Sequence, residues 1–173
     1  GAGAVLHQVT AGPISDSDLE KIRDISPNII LLAGGVDYGE REIILANAVK
    51  LAGLNLSIPL IYAGNAAIQE EVGRIFSPTA FALTVVENVY PRIDELNIEP
   101  TRQAIQAAFE EHIIHAPGME HIRELVDGPI QPVPGAVQNA ALTLYRSLGD
   151  LLVFDVGGAT TDLHSVTPGS EEV

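Results

Sequence analysis

Four aliphatic runs begin near residues 5, 28, 58 and 81 of the 173-residue chain, and stretches with helical spacing fall between them. The run "NIILLA", Asn28 to Ala33, shows no polar alternation, and "SIPLIYAGN" and "FALTVVENV" read the same way. A strand that alternates apolar and polar residues has one wet face, whereas a continuous aliphatic strand is expected to need cover on both. Strands separated by helices of this length pair in parallel through crossover connections. Residues 1–88 therefore read as a parallel α/β segment of the Rossmann or flavodoxin-like kind, with strands near Val5, Ile30, Leu60 and Thr84.

The helix signals agree with this alternation. Ser17 and Glu20 have the spacing of a capping box, and the helix they open should stop before Pro27. Ile43, Ile44, Ala48 and Leu51 recur at helical spacing ahead of Gly53, a plausible C-cap. Asn65 can cap "AAIQEEVGRIF". From Tyr90 the pattern changes. Pro100 suits the first turn of a long helix, "TRQAIQAAFEEHIIHA", and "MEHIRELVDG" reads as another. The three prolines of "PIQPVPG" exclude a central strand, so that stretch is expected to be extended. "AVQNAALTLYRSLG" is a helix with Gly149 at its C-cap. Residues 89–134 thus form a helical connection, and 135–173 a third region that ends in a strand-turn-strand feature.

Charge and composition narrow the function classes. Acidic residues number 23 and basic ones 9, a net charge of −14, and such a field repels a phosphate backbone. There is no basic run to meet an anionic membrane, and no apolar run reaches the ~18 residues of a membrane span. Neither nucleic acid nor membrane is expected as a partner. The chain has no cysteine, which rules out disulfides and thiolate metal sites and suits a reducing cytoplasm. It opens with "GAGAVLHQV" and closes with "HSVTPGSEEV", both abrupt, so it is expected to be a piece of a longer protein.

The chemistry concentrates in "LLVFDVGGATTDLHSV", Leu151 to Val166. A strand delivers Asp155. Gly157 and Gly158 permit positive φ and expose bare backbone N–H groups, the makings of an anion-binding nest. Thr160 and Thr161 add hydroxyl donors, and a β-rich run with Asp162 follows. Glycines that join two strands differ from those of Walker and dinucleotide-binding loops, which open a helix. Two carboxylates beside a phosphate nest suit water-mediated Mg²⁺ and the orientation of an attacking water. A purely structural hairpin needs one or two permissive residues, not an aspartate on each side and two threonines.

Asp155-x-Gly157-Gly158-x-Thr160-x-Asp162, after an apolar strand, resembles the phosphate-2 hairpin of the ATPase superfamily that contains actin, the heat-shock chaperones and the sugar kinases. Ala159 stands where chaperone-like members usually have a third glycine. More widely, "NIILLAGGVDYG", "YAGNAAIQEEV", "VVENVYPRIDELNIEPTRQAI" and "GDLLVFDVGGATTDLHSVT" are similar to the MutL (GlmL) family associated with glutamate mutase, unrelated to the mismatch-repair protein of similar name. That resemblance implies that residues 135–173 are part of an actin-like (ribonuclease H-like) ATPase domain. It also implies a parent protein that, with ATP and Mg²⁺ as its cofactors, acts as an ATP-dependent reactivase or chaperone for an adenosylcobalamin (B12)-dependent mutase. Asp155 would be catalytic. Asp155 and Asp162 would organise the metal and water, and Gly157, Gly158, Thr160 and Thr161 would hold phosphate. The family's first phosphate hairpin and adenosine segment are not visible in these residues, so the parent is expected to be the ATPase and this segment alone inactive. Two alternatives stay open: an ATP-dependent hydantoinase or oxoprolinase subunit with a similar turn, and an α/β protein-binding module without nucleotide.

Other motifs weigh less. "GGVDYG", Gly34 to Gly39, ends a strand ahead of a helix, where open α/β sheets bind ligands. It is not the dinucleotide fingerprint, and it reads as a strand-to-helix turn in which Asp37 caps or is solvated. His112, His115 and His121 lack the companion ligands of a zincin and read as surface or packing residues. Asp162 and His164 match only the start of the Asp-x-His-x-x-Gly motif of cobalamin domains, with Thr167 in place of its glycine, a coincidence on this reading.

Overall fold

The computed structural model describes residues 5–114, 125–128, 133–158 and 161–168. They belong to two compact units, residues 4–108 and 109–173.

The first unit runs α1 (Asp16–Ile25), β1 (Ile30–Leu32), α2 (Glu42–Ala52), β2 (Pro59–Tyr62), a 3-10 turn (Ala66–Ile68) leading into α3 (Gln69–Phe76), and β3 (Ala82–Val85). α4 (Glu99–Ile114) begins in this unit. The strands pair in parallel in the order β1-β2-β3, with Leu31 opposite Ile61 and Ile61 opposite Thr84. One face of the sheet, with Leu32, Leu60 and Tyr62, packs against Ile44, Ala48 and Leu51 of α2 and Val72 and Phe76 of α3. Phe76 and Phe81 meet edge to face with ring centres 5.5 Å apart, the geometry that ring quadrupoles favour.

Close packing fixes two small residues. A Cβ on Gly64 would lie 3.0 Å from the fully buried Tyr62 ring, and one on Gly34, already at φ +144°, would lie 2.8 Å from Ile44 Cδ1. Burial pushes the Tyr62 hydroxyl well above the ordinary phenol range, with Asp37 and Glu71 adding to the effect, so it stays protonated and donates to Asn65 C=O at 3.0 Å.

Three expectations for this unit change. Residues 5–9 form no strand, and Val5, Leu6 and Val9 are all more than 70% exposed. A strand needs an edge to pair with, and the chain is drawn elsewhere. Asn47 Oδ1 accepts from Ile14 N–H at 2.8 Å, Asn47 Nδ2 donates to Gly12 C=O at 3.0 Å, and Lys50 Nζ donates to Ile14 C=O, which ties this segment to α2. The capping box lies two residues earlier than expected. Ser15 Oγ accepts from Asp18 N–H, and Asp18 Oδ2 accepts from Ser15 N–H. The shorter Asp side chain closes the box as Glu would. Cover on both faces holds only for β2, whose Leu60, Ile61 and Tyr62 are fully buried. Leu31 of β1 is 46% exposed and Val85 of β3 is 40% exposed, as flanking strands of a three-stranded sheet permit.

In the second unit, α5 (Val133–Leu148) leads into β4 (Leu151–Val156) and β5 (Thr161–Val166), an antiparallel pair. α5 packs on both strands. Gly149, at φ +77°, turns the chain out of the helix, and its N–H donates to Tyr145 C=O at 2.8 Å. The helix begins inside the stretch expected to be extended. Residues 133–135 are its first turn, where a proline such as Pro134 is tolerated because no intrahelical partner awaits its missing N–H. Residues 129–132 and most of "MEHIRELVDG" lie outside the described residues. No helix among the described residues is long and apolar enough to cross a membrane.

Candidate functional site

The hairpin expected at Leu151 to Val166 forms, and its register is informative. Asp155 pairs directly with Asp162, and Val156 with Thr161, so residues 157–160 separate the two strands in sequence. Side chains alternate across a strand. Asp155, Val153, Asp162 and His164 share a half-buried face that ends at the buried Val166. Leu152, Phe154, Val156 and Leu163 occupy the other face and are 58–73% exposed.

Residues directly opposite in an antiparallel pair have Cβ atoms about 4.5–5.5 Å apart, and like charges in that position repel. The fold therefore places two carboxylates together one pair in from the turn, an arrangement that a cation between or beside them relieves. A cation held largely through water needs no more than one or two carboxylates from the protein. Among the described residues no three His, Asp or Glu side chains gather into a dedicated metal cage.

Gly157 and Gly158 form the exposed first half of the turn. Gly158 is not in the left-handed region, so conformational freedom is not what requires glycine there. A Cβ at that position would meet no protein atom within 4 Å, and the backbone is open to approach from solvent. Thr161 is exposed at the start of β5. Thr160, with Ala159, lies outside the described residues. His164 Nε2 is buried with no hydrogen-bond partner, although the residue itself is only half-buried. The side chains of His112, His115 and His121 lie outside the described residues.

A second polar constellation sits at the C-terminal edge of the parallel sheet, and sequence reading gave it too little. Asp37 Oδ1 accepts from Ala66 N–H at 2.8 Å and from Asn88 Nδ2 at 2.9 Å. Asn88 Nδ2 also donates to Gly35 C=O. Asn65, fully buried, accepts from Tyr38 and Ala67 N–H and donates to Glu40 C=O. The loops after β1, β2 and β3 are thus clasped to one another. Asp37 does cap, as one reading had it, but its partners lie 29 and 51 residues away and are invisible to local pattern. Beside this clasp an open cleft of about 590 Å³ is lined by Gln69, Val86, Glu87, Gln103 and the small residues Ala104 and Ala107.

The two units therefore define an α/β protein with a three-stranded parallel sheet in one unit and a helix-backed, aspartate-paired glycine hairpin in the other. The MutL protein family model matches residues 1–173, and the chain belongs to that family. A curated relative, Protein MutL of Clostridium tetanomorphum, is 38% identical over 175 residues that cover 98% of this chain. The chain spans 38% of that relative's length. No solved structure matches it.

Proposed function

We propose that this chain is part of an ATP-dependent accessory protein that reactivates an adenosylcobalamin-dependent mutase of the glutamate mutase type, in the cytoplasm, and that its hairpin is one phosphate clamp of the nucleotide site. Membership of the MutL family supports the accessory role. The observation that carries the nucleotide reading is the direct pairing of Asp155 with Asp162 beside a turn whose glycine backbone is open to solvent.

On this reading the N–H groups of Gly157 and Gly158 donate to terminal phosphate oxygens, which they can approach because no side chain intervenes. The Thr161 hydroxyl, and that of Thr160 by resemblance, add donors. Asp155 and Asp162 accept hydrogen bonds from water, and Asp155 orients the water that attacks the terminal phosphate. Mg²⁺, when bound, supplies neutralisation of phosphate charge, and the opposed carboxylates are the residues of this chain that would hold it through its waters. The actin-like architecture of the whole ATPase belongs to the same proposal.

The test uses the full-length protein that contains this chain. Asp155→Asn should cut ATP turnover by about 100-fold or more while changing ATP affinity less than tenfold, because a charge aimed at the reacting groups is lost and the backbone donors remain. Unchanged turnover would remove Asp155 from the chemistry. ATP-dependent opening of a hydantoin or 5-oxoproline would replace the reactivase reading with the hydrolase one.

A further inference from the structure

The segment after β3 folds into a tight clip. Asn97 N–H donates to Val89 C=O at 2.9 Å across its neck, and Val89 N–H donates to Ala63 C=O at the end of β2. Inside the clip, Asp94 N–H donates to Tyr90 Oη at 2.9 Å, Glu95 N–H donates to Arg92 C=O, and the Arg92 and Glu95 side chains pair at 3.6 Å. Asp37 N–H donates to Pro91 C=O at 3.0 Å and joins the clip to the Gly34–Gly39 loop. Backbone groups of these loops bond to one another, while four of their large apolar side chains are turned out. Tyr38 and Ile93 are each 77% exposed, Leu96 is 73% and Ile98 is 58%.

Single exposed apolar residues are ordinary on a protein surface. Here four lie on two loops that are hydrogen-bonded together, and two residues of those loops have left-handed backbone conformations. Tyr38 has φ +63° and Asp94 has φ +64°. Glycine would take the Tyr38 conformation without penalty, whereas a bulky side chain there is disfavoured. The buried Asn65 nonetheless fixes the Tyr38 N–H at 2.9 Å, and the ring covers little within this unit. The fold gains little from a tyrosine at this position, so its value lies in what the ring meets outside. A rigid, preformed apolar knob loses little freedom on association, and an exposed aromatic anchor is the usual centre of a protein interface.

We infer that Tyr38, with Ile93 and Leu96 of the clip and Ile98 beside its neck, forms a docking knob for another protein, whose receiving surface is an apolar pocket rimmed by Lys and Arg. The rim chemistry follows from the charges around the knob. Arg92 and Glu95 pair with each other, and of the charges left, exposed Glu40, Glu87 and Asp94 outnumber Arg41. Such a surface steers a basic partner into contact and repels an acidic one. The inference rests on the proposed accessory role only for the identity of the partner, a mutase subunit.

Binding of the full-length protein to the purified mutase of the same organism, measured by interferometry at low and high salt, tests the assignment. Ile93→Ser/Leu96→Ser and, separately, Tyr38→Ser should each weaken binding by tenfold or more with an unchanged melting temperature, and wild-type binding should weaken with salt. Full-affinity binding by both variants would overturn the knob while leaving the accessory role standing. Failure of the wild type to bind any mutase subunit would overturn the accessory role and the partner assigned here with it. Self-association of the wild type that the variants abolish would overturn the hetero-partner in favour of a second copy of the chain.

Discussion

Asn65 holds three backbone groups from two loops while fully buried, and its removal tests the clasp at the sheet edge. Asn65→Ala leaves the Tyr38 and Ala67 N–H groups and the Glu40 carbonyl without that partner. Each buried polar group left unsatisfied costs about 1–3 kcal/mol, and partial access to water lowers the sum, so a loss of ~3 kcal/mol is expected in urea unfolding. A loss below ~0.5 kcal/mol would mean that water replaces the side chain and the clasp is dispensable. The helix-capping half of this role was readable, since Asn ahead of "AAIQEEV" is a known cap. The half that holds Tyr38 was not, because the bond closes across 27 residues and only the fold brings the groups together. The same holds for Asp155 and Asp162. Their presence in one motif was visible, whereas their direct opposition depends on a strand register that the sequence alone leaves open.

At the level of elements, hydrophobic runs identified β1, β2 and β3 because a parallel sheet needs such runs, α2 was legible from apolar residues at helical spacing, and α3 from the Asn65 cap ahead of it. The run at Val5–Val9 misled because hydropathy does not supply a neighbouring strand, and the last three residues of "PIQPVPG" misled because proline is as acceptable in a helix's first turn as in an extended stretch. Two helix starts carry a pH dependence. The Ser15 hydroxyl and backbone N–H hold the Asp18 carboxyl below its ordinary range, and the hydrogen bond from Arg102, at 2.8 Å, does the same for Glu99. Both carboxylates bind protons less readily folded than unfolded. Their contribution is therefore fully present above the ordinary carboxylate pKa of about 4 and is lost as pH falls through the lowered folded values. Asp18→Asn/Glu99→Gln should lose less stability than wild type between pH 5 and pH 3, roughly the window set by those pKa values, when unfolding is followed by circular dichroism. An identical acid profile for the two proteins would show that neither carboxylate is coupled to folding.

For the molecule as a whole, the family assignment fixes what the chain belongs to, and the hairpin is where its proposed activity can be examined without disturbing its packing. Gly158 is the suitable probe, because a Cβ there meets no protein atom within 4 Å. Gly158→Val in the full-length protein should leave melting within about 2 °C of wild type, since surface changes away from packed features cost within ~0.5 kcal/mol. Its added methyl groups would stand where phosphate oxygens must come within hydrogen-bonding distance of the backbone. Titration of wild type and Gly158→Val with a fluorescent ATP analogue and Mg²⁺ therefore tests the phosphate clamp most directly. The account predicts saturable binding by the wild type and a loss of at least 100-fold in affinity for a variant that remains folded. A folded variant that binds the analogue as tightly as the wild type would contradict it and leave the glycines as no more than a turn.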